Sequence, residues 1–239
     1  MPSLVCEDVR KEFGDVVAVR DVDLTVGGGE FHCLIGPNGS GKTTLIRLLL
    51  GLTRPTRGTV ERHDAVVGCG FQTPNFYPGL SVAENIDVFS SLVAAPDHDW
   101  RETLVTELRL ERARDRTAGD LSGGFARKLD LALALLKQPD VLLLDEPLGA
   151  LDDVSKVRLL SFLGDYAAMG NTILVSTHHV SRFEPLLDRV TVMHDGEVVL
   201  DSAPEDVDLG DADGIQEFYV QAVLEREDVE AGAVPPSDE

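Results

Sequence analysis

Residues 31–50 read FHCLIGPNGSGKTTLIRLLL, and this stretch decides the fold. FHCLIG is a short apolar run with the composition of a buried strand. From Thr43 onward, Leu45, Leu48, Leu49 and Leu52 recur at helical spacing. Between strand and helix, Gly36-Pro37-Asn38-Gly39-Ser40-Gly41-Lys42-Thr43 matches the G-x-x-x-x-G-K-[ST] pattern. The glycines let the backbone curl around a polyphosphate with its N–H groups inward and the positive helix end behind them. In that loop Lys42 is placed to reach the β- and γ-phosphates, Thr43 to hold Mg²⁺, and Thr44 to support the α-phosphate side.

The rest of the chain builds an α/β domain around this unit. LVCEDV and VVAVRDVDLTV, followed by the glycines 27–29, predict strands and hairpins that lead into the buried strand. Residues 54–80 are rich in Pro, Gly and Thr and predict loops with short strands. A helical stretch then runs from Ser81, an N-cap with Glu84 three residues on, to about Arg116, interrupted by APDHDW. VLLLDEP (141–147) and NTILVSTHH (171–179) are almost wholly apolar strands separated by a helix, which implies a parallel sheet covered on both faces. RVTVMHDGEVVLDS predicts a hairpin turning at Asp195 and Gly196. The acidic residues 225–239, with two prolines, are expected to be disordered.

Composition excludes several classes. The 239 residues are 43% hydrophobic and contain no apolar run near the roughly 18 residues of a membrane span. The first residues lack the apolar core of a signal peptide, so a cytoplasmic chain is expected. Cys6, Cys33 and Cys69 lack metal-ligand spacing and read as plain thiols. With 42 acids against 21 bases, the net charge of −21 repels phosphate backbones and argues against nucleic acid as a partner. Such a surface also repels itself unless screened, and at 1 M salt the screening length is about 3 Å; a salt-rich, halophilic cytoplasm is the expectation.

Two further stretches carry chemistry. Asp145 and Glu146 end a buried strand, where open α/β sheets bind ligands. Side chains alternate across a strand, so the two acids divide the work: Asp145 suits Mg²⁺, and Glu146 suits the water that attacks the γ-phosphate. Apart from the phosphate loop, the same pair would read as a helix N-cap before Pro147. In LSGGFARKL (121–129), Ser122 is a natural N-cap, and Gly123 and Gly124 allow close backbone approach. Phe125, Leu129, Ala132 and Leu136 form the anchoring stripe. This is a second anion-binding helix start, and if it cannot reach its own chain's nucleotide it serves a neighbour's in a head-to-tail pair.

GPNGSGKTT, Gln72 in GFQTP, LSGG, LLLDEP, GALD (149–152) and His178 in STHH follow one another in this order. With them the chain resembles the ATP-binding cassette (ABC) family, the motor subunits of ABC transporters, over residues 3 to about 220. The resemblance implies a P-loop NTPase core with a mainly parallel sheet, an N-terminal antiparallel β-subdomain and an inserted α-helical subdomain at about 75–120. All of this falls within a single domain, residues 1–224. It further implies that Ser122, Gly123 and Gly124 bind the γ-phosphate of ATP held by the opposite subunit. Gln72 then links Mg²⁺ and the attacking water to a membrane partner, Asp152 contacts across the dimer, and His178 senses the γ-phosphate. Phe13 falls where the family stacks a ring on adenine, although from its own residue type it reads as core. The implied cofactors are ATP and Mg²⁺. The implied partners are an integral-membrane permease and a second cassette, identical or paralogous, and the implied place is the inner face of the cell membrane. A soluble cassette ATPase, such as those serving iron–sulfur cluster assembly, is the alternative. Two departures stand out: Phe125 replaces the usual polar residue after the signature glycines, and GTVERHDAVVGCGFQ (58–72) is short for the family.

Overall fold

A computed structural model describes residues 2–93, 97–210 and 212–232. Strands β1 (Pro2–Phe13) and β2 (Val16–Gly27) form the first hairpin, and β3 (Phe31–Ile35) runs into α1 (Lys42–Leu49). Next come β4 (Arg57–Glu61), β5 (Val67–Gly70), α2 (Val82–Ser91), α3 (His98–Glu107) and α4 (Gly123–Leu135). Strand β6 (Val141–Asp145), α5 (Asp153–Ala168), β7 (Thr172–Thr177), β8 (Arg189–His194), β9 (Glu197–Ser202) and α6 (Ile215–Gly232) complete the order.

β1, β2 and β4 make a three-stranded antiparallel sheet, while the other six strands lie in the order β5-β6-β7-β3-β8-β9, parallel except for β9. Every residue of β3, β6 and β7 is buried, because both sheet faces are covered. The two-residue period splits neighbours between two cores. Leu143 and Leu174 pack with α1 and the antiparallel sheet, whereas Leu142, Leu144, Ile173 and Val175 pack with α4 and α5. Parallel register sets Ile35 beside Thr177 and Asp145 beside Ser176, so the residues that follow these strands emerge at one sheet edge.

Local signals hold where they carry a mechanism. Ser81 and Glu84 form a reciprocal capping box, the Ser81 hydroxyl accepting from Glu84 N and the Glu84 carboxylate from Ser81 N. Asp195 and Gly196 both adopt positive φ, 45° and 84°, as the two-residue hairpin turn demands. The interruption after α2 is shorter than APDHDW: Asp97 caps α3, and His98, Asp99 and Trp100 already belong to it. Helix α6 runs to Gly232 and so enters the first part of the expected tail, where Glu, Arg and Ala favour helix regardless of net charge. Residues 233–239 of that expected tail lie outside the described residues.

Candidate nucleotide-binding and hydrolysis site

The loop between β3 and α1 is pinned by backbone on both sides. A Cβ at Gly36 would lie 2.2 Å from the Met193 carbonyl oxygen, and one at Gly41, whose φ is +102°, would lie 2.4 Å from that of Ala18. Gly41→Ala is therefore expected to cost about 1–3 kcal/mol from the left-handed backbone alone. The forced shift of the loop weakens ATP binding as well. A thermal melt and a titration with a fluorescent ATP analogue check the two effects.

Lys42 is buried, and its ammonium donates to the carbonyls of Gly36 at 2.8 Å and Pro37 at 2.9 Å. Burial lowers its pKa, while the charges of Glu146 and Asp145 act the other way. A cation held by carbonyls keeps most of its charge uncompensated, which favours an incoming anion. Ala18, Asn38, Gly39, Gly41, Lys42, Thr43, Thr44, Gln72, Asp145 and Glu146 line one cleft of about 390 Å³. That volume lies within the usual range of small-molecule sites, about 300–1,000 Å³.

At the end of β6, Asp145 is only 4% exposed, and the Thr43 hydroxyl donates to its Oδ2 at 2.9 Å. Its Oδ1 accepts from the Ser176 hydroxyl. No motif points to Ser176; the signal is its register beside Asp145 on the adjacent strand, visible once the two apolar strands are aligned. Glu146 leaves the strand at φ +49°, a conformation costing about 1–3 kcal/mol for a non-glycine residue and frequent at functional sites. Its amide donates to the Ser176 carbonyl at 3.0 Å, and its carboxylate lies 2.8 Å from His178 Nδ1. A carboxylate only accepts, so Nδ1 carries the proton. The two acids thus face different partners: Asp145 is the last residue of the strand, and Glu146 turns away from it in the left-handed conformation.

Other expected site residues lie outside this cleft. Ser122 and Gly123 are exposed at the start of α4, and the Ser122 side chain makes no cap hydrogen bond of its own. Gly123 and Gly124 rest on Ala150, where a Cβ would come within 3.1 Å and 3.2 Å of it. Phe125 turns its ring toward the core, with Lys128 Nζ 5.4 Å from the ring centroid, and leaves Ser122 and Gly123 uncovered. Asp152 caps α5, accepting from Ser155 N at 2.8 Å and Ser155 Oγ at 2.9 Å, bonds that lower its pKa. Its carboxylate thus serves its own helix, a role the motif order did not suggest. Phe13 is 52% exposed at the β1–β2 turn, so it is not a core residue.

The chain matches the family model for ABC transporters over residues 19–149. It is 39% identical over 211 residues to the Nod factor export ATP-binding protein I of Burkholderia lata, covering 82% of this chain and 69% of that protein. It is 33% identical over 220 residues to the lipopolysaccharide export system ATP-binding protein LptB of Acidithiobacillus ferridurans, covering 85% and 91%. Among solved structures, the ATP-binding subunit of an ABC transporter superposes with a TM-score of 0.83 at 27% identity, over 91% of this chain and 98% of that one. A dimeric bacterial ABC transporter cassette superposes with a TM-score of 0.76 at 27% identity, over 84% and 98%. A post-hydrolysis cassette dimer bound to ADP and phosphate gives 0.75 at 26% identity, also over 84% and 98%. His178 lies outside the phosphate-loop cleft, in a neighbouring one that it shares with Glu146. Together with a phosphate loop whose cleft holds Asp145 and Glu146, these likenesses make the chain an ATP-hydrolysing member of the ABC transporter family.

Proposed function

We propose that this chain is the nucleotide-binding subunit of a multi-subunit ABC exporter. It would pair head to tail with a second cassette around two ATP and drive a separate integral-membrane permease. The observation that carries the reading is the division of the site: Lys42, Thr43, Asp145, Glu146 and Gln72 share one cleft, while Ser122 and Gly123 stand exposed apart from it. Export is the direction because both relatives above are named for export systems.

Each side chain then has a task. The loop amides and Lys42 hold the β- and γ-phosphates, Thr44 the α-phosphate side, and the exposed ring of Phe13 stacks on adenine. The Thr43 hydroxyl and the Asp145 carboxylate form an oxygen-only donor set beside the exposed Gln72, which fits the hard cation Mg²⁺. Held by Thr43 and Asp145, Mg²⁺ would supply positive charge against the triphosphate. Glu146 takes the proton of the attacking water, and His178, bonded to it, holds that carboxylate in place. The proposed sensing of the γ-phosphate by His178 runs through that bond. The partner's Ser122, Gly123 and Gly124 close the other side of the γ-phosphate, with Asp152 at the same dimer face.

Docking falls to the segment after Gln72. Phe76 packs into the core, whereas Tyr77 is 53% exposed and Leu92, at the end of α2, is 75% exposed. Among the described residues no helix is long and apolar enough to cross a membrane. The inner face of the cell membrane is the proposed place. Affinity purification of the tagged chain from gently solubilised membranes is expected to bring down a multi-span protein whose presence raises ATP turnover. Soluble partners only, with the chain missing from the membrane fraction, would transfer the reading to a soluble cassette ATPase.

A further inference from the structure

The Gln72 turn, residues 71–75, is held from α4 by two charged side chains that the site above does not use. Asp130 accepts from Phe71 N at 3.0 Å and from Asn75 N at 2.8 Å, so one carboxylate grips both ends of the turn. One helical turn earlier, Arg127 donates to the carbonyls of Phe71 and Gln72, the latter at 2.8 Å. Arg127 Nη1 and Asp130 Oδ2 lie 3.9 Å apart, with the two side chains 8% and 3% exposed.

The packing that permits this is written in Gly68 and Gly70 of β5. A Cβ at Gly68 would come within 2.5 Å of the Ala134 carbonyl oxygen, and one at Gly70 within 3.4 Å of Asp130 Oδ2. Strand β5 therefore lies directly on α4, and the turn leaving that strand meets the carboxylate at once. Burial pushes the Asp130 pKa up to about 6 and lowers that of Arg127, so both charges are kept at a cost. Apolar replacement of such a pair is often neutral or stabilising, which makes it poor as a source of stability. What the pair supplies is the placement of four backbone groups around Gln72.

The geometry points to Arg127 and Asp130 as positioning residues for ATP hydrolysis. They act through Gln72 by fixing it to the helix whose first turn presents Ser122, Gly123 and Gly124. This rests on the reading that Gln72 serves its own chain's ATP and that the helix start serves the partner's. On that reading, α4 joins parts of two different ATP sites in one rigid unit, and the clamp sets how Gln72 stands relative to the signature.

The test is a double-mutant cycle on the full chain, reading kcat and KM for ATP together with the thermal midpoint. Asp130→Ala is expected to lower kcat about tenfold with KM within about threefold of the parent, while the same change in a Gln72→Ala background lowers kcat less than about twofold. Should Asp130→Ala fail to fold, the near-isosteric Asp130→Asn, which keeps one acceptor oxygen, replaces it, with an expected loss of at least about threefold that again vanishes beside Gln72→Ala. A folded variant with parental kcat, or losses that multiply in full, would overturn the clamp. Parental kcat in Gln72→Ala alone would instead overturn the role given to Gln72, so the two failures are told apart.

Discussion

Glu146→Gln is expected to lower ATP hydrolysis by roughly 10²- to 10⁴-fold, the usual contribution of a general base, while ATP binding stays close to parental. The substitution is nearly isosteric, and the amide oxygen still accepts from His178 Nδ1, now 2.8 Å from the carboxylate. Neither the φ of +49° nor the bond from Glu146 N to the Ser176 carbonyl depends on the side chain's charge. Lys42, Thr43 and Asp145 also keep their contacts, since their hydrogen bonds run to Gly36, Pro37, Ser176 and one another rather than to Glu146. What disappears is the basic oxygen that receives the water's proton. ATP should then persist, and the chain should accumulate as an ATP-bound dimer in light scattering. A phosphate-release rate within about tenfold of the parent would sink the assignment of Glu146 as base.

The parts of this site legible in the sequence are those whose chemistry is local. The phosphate loop needs glycines at fixed offsets because backbone from Ala18 and Met193 closes on it, and those offsets are visible without coordinates. The capping box at Ser81 and the turn at Asp195-Gly196 are likewise settled by neighbouring residues. Glu146 and His178 follow the ends of separate strands, and neither residue type nor motif order foretells the hydrogen bond between them. The illegible parts are set by register and packing. Ser176 reaches Asp145 because β6 and β7 pair in one particular register. Arg127 and Asp130 lie off the apolar stripe of α4, and their burial comes from the packing of β5 on that helix, which the sequence pattern does not reveal. Phe13 reads as core by its residue type, and only its exposure at the turn shows that it is not. Asp152 offered a dimer contact by analogy, whereas the first duty of an Asp before a helix is the cap it makes with Ser155.

Mixing two inactive variants should restore hydrolysis if each ATP is closed by parts of two chains. Lys42→Ala removes the buried cation of the phosphate loop. Ser122→Asp places a negative charge where the partner's γ-phosphate is proposed to lie. Asp is as good an N-cap as Ser and position 122 is exposed, so α4 should fold as before. In a mixed head-to-tail dimer, one site receives both defects and the other receives neither, because its phosphate loop comes from the Ser122→Asp chain and its signature from the Lys42→Ala chain. Random pairing makes half the dimers mixed, each with one sound site of two, so about a quarter of the parental rate is expected from a mixture whose components are each nearly silent. Steady-state phosphate release across mixing ratios, together with the mass of the ATP-bound species, measures this directly. A mixture no more active than the sum of its components, with no mixed dimer in ATP, would mean that Ser122 does not complete another chain's site. Recovery that peaks at equal mixing would show that the signature works in trans, because a signature acting within its own chain leaves every site in the mixture as defective as before.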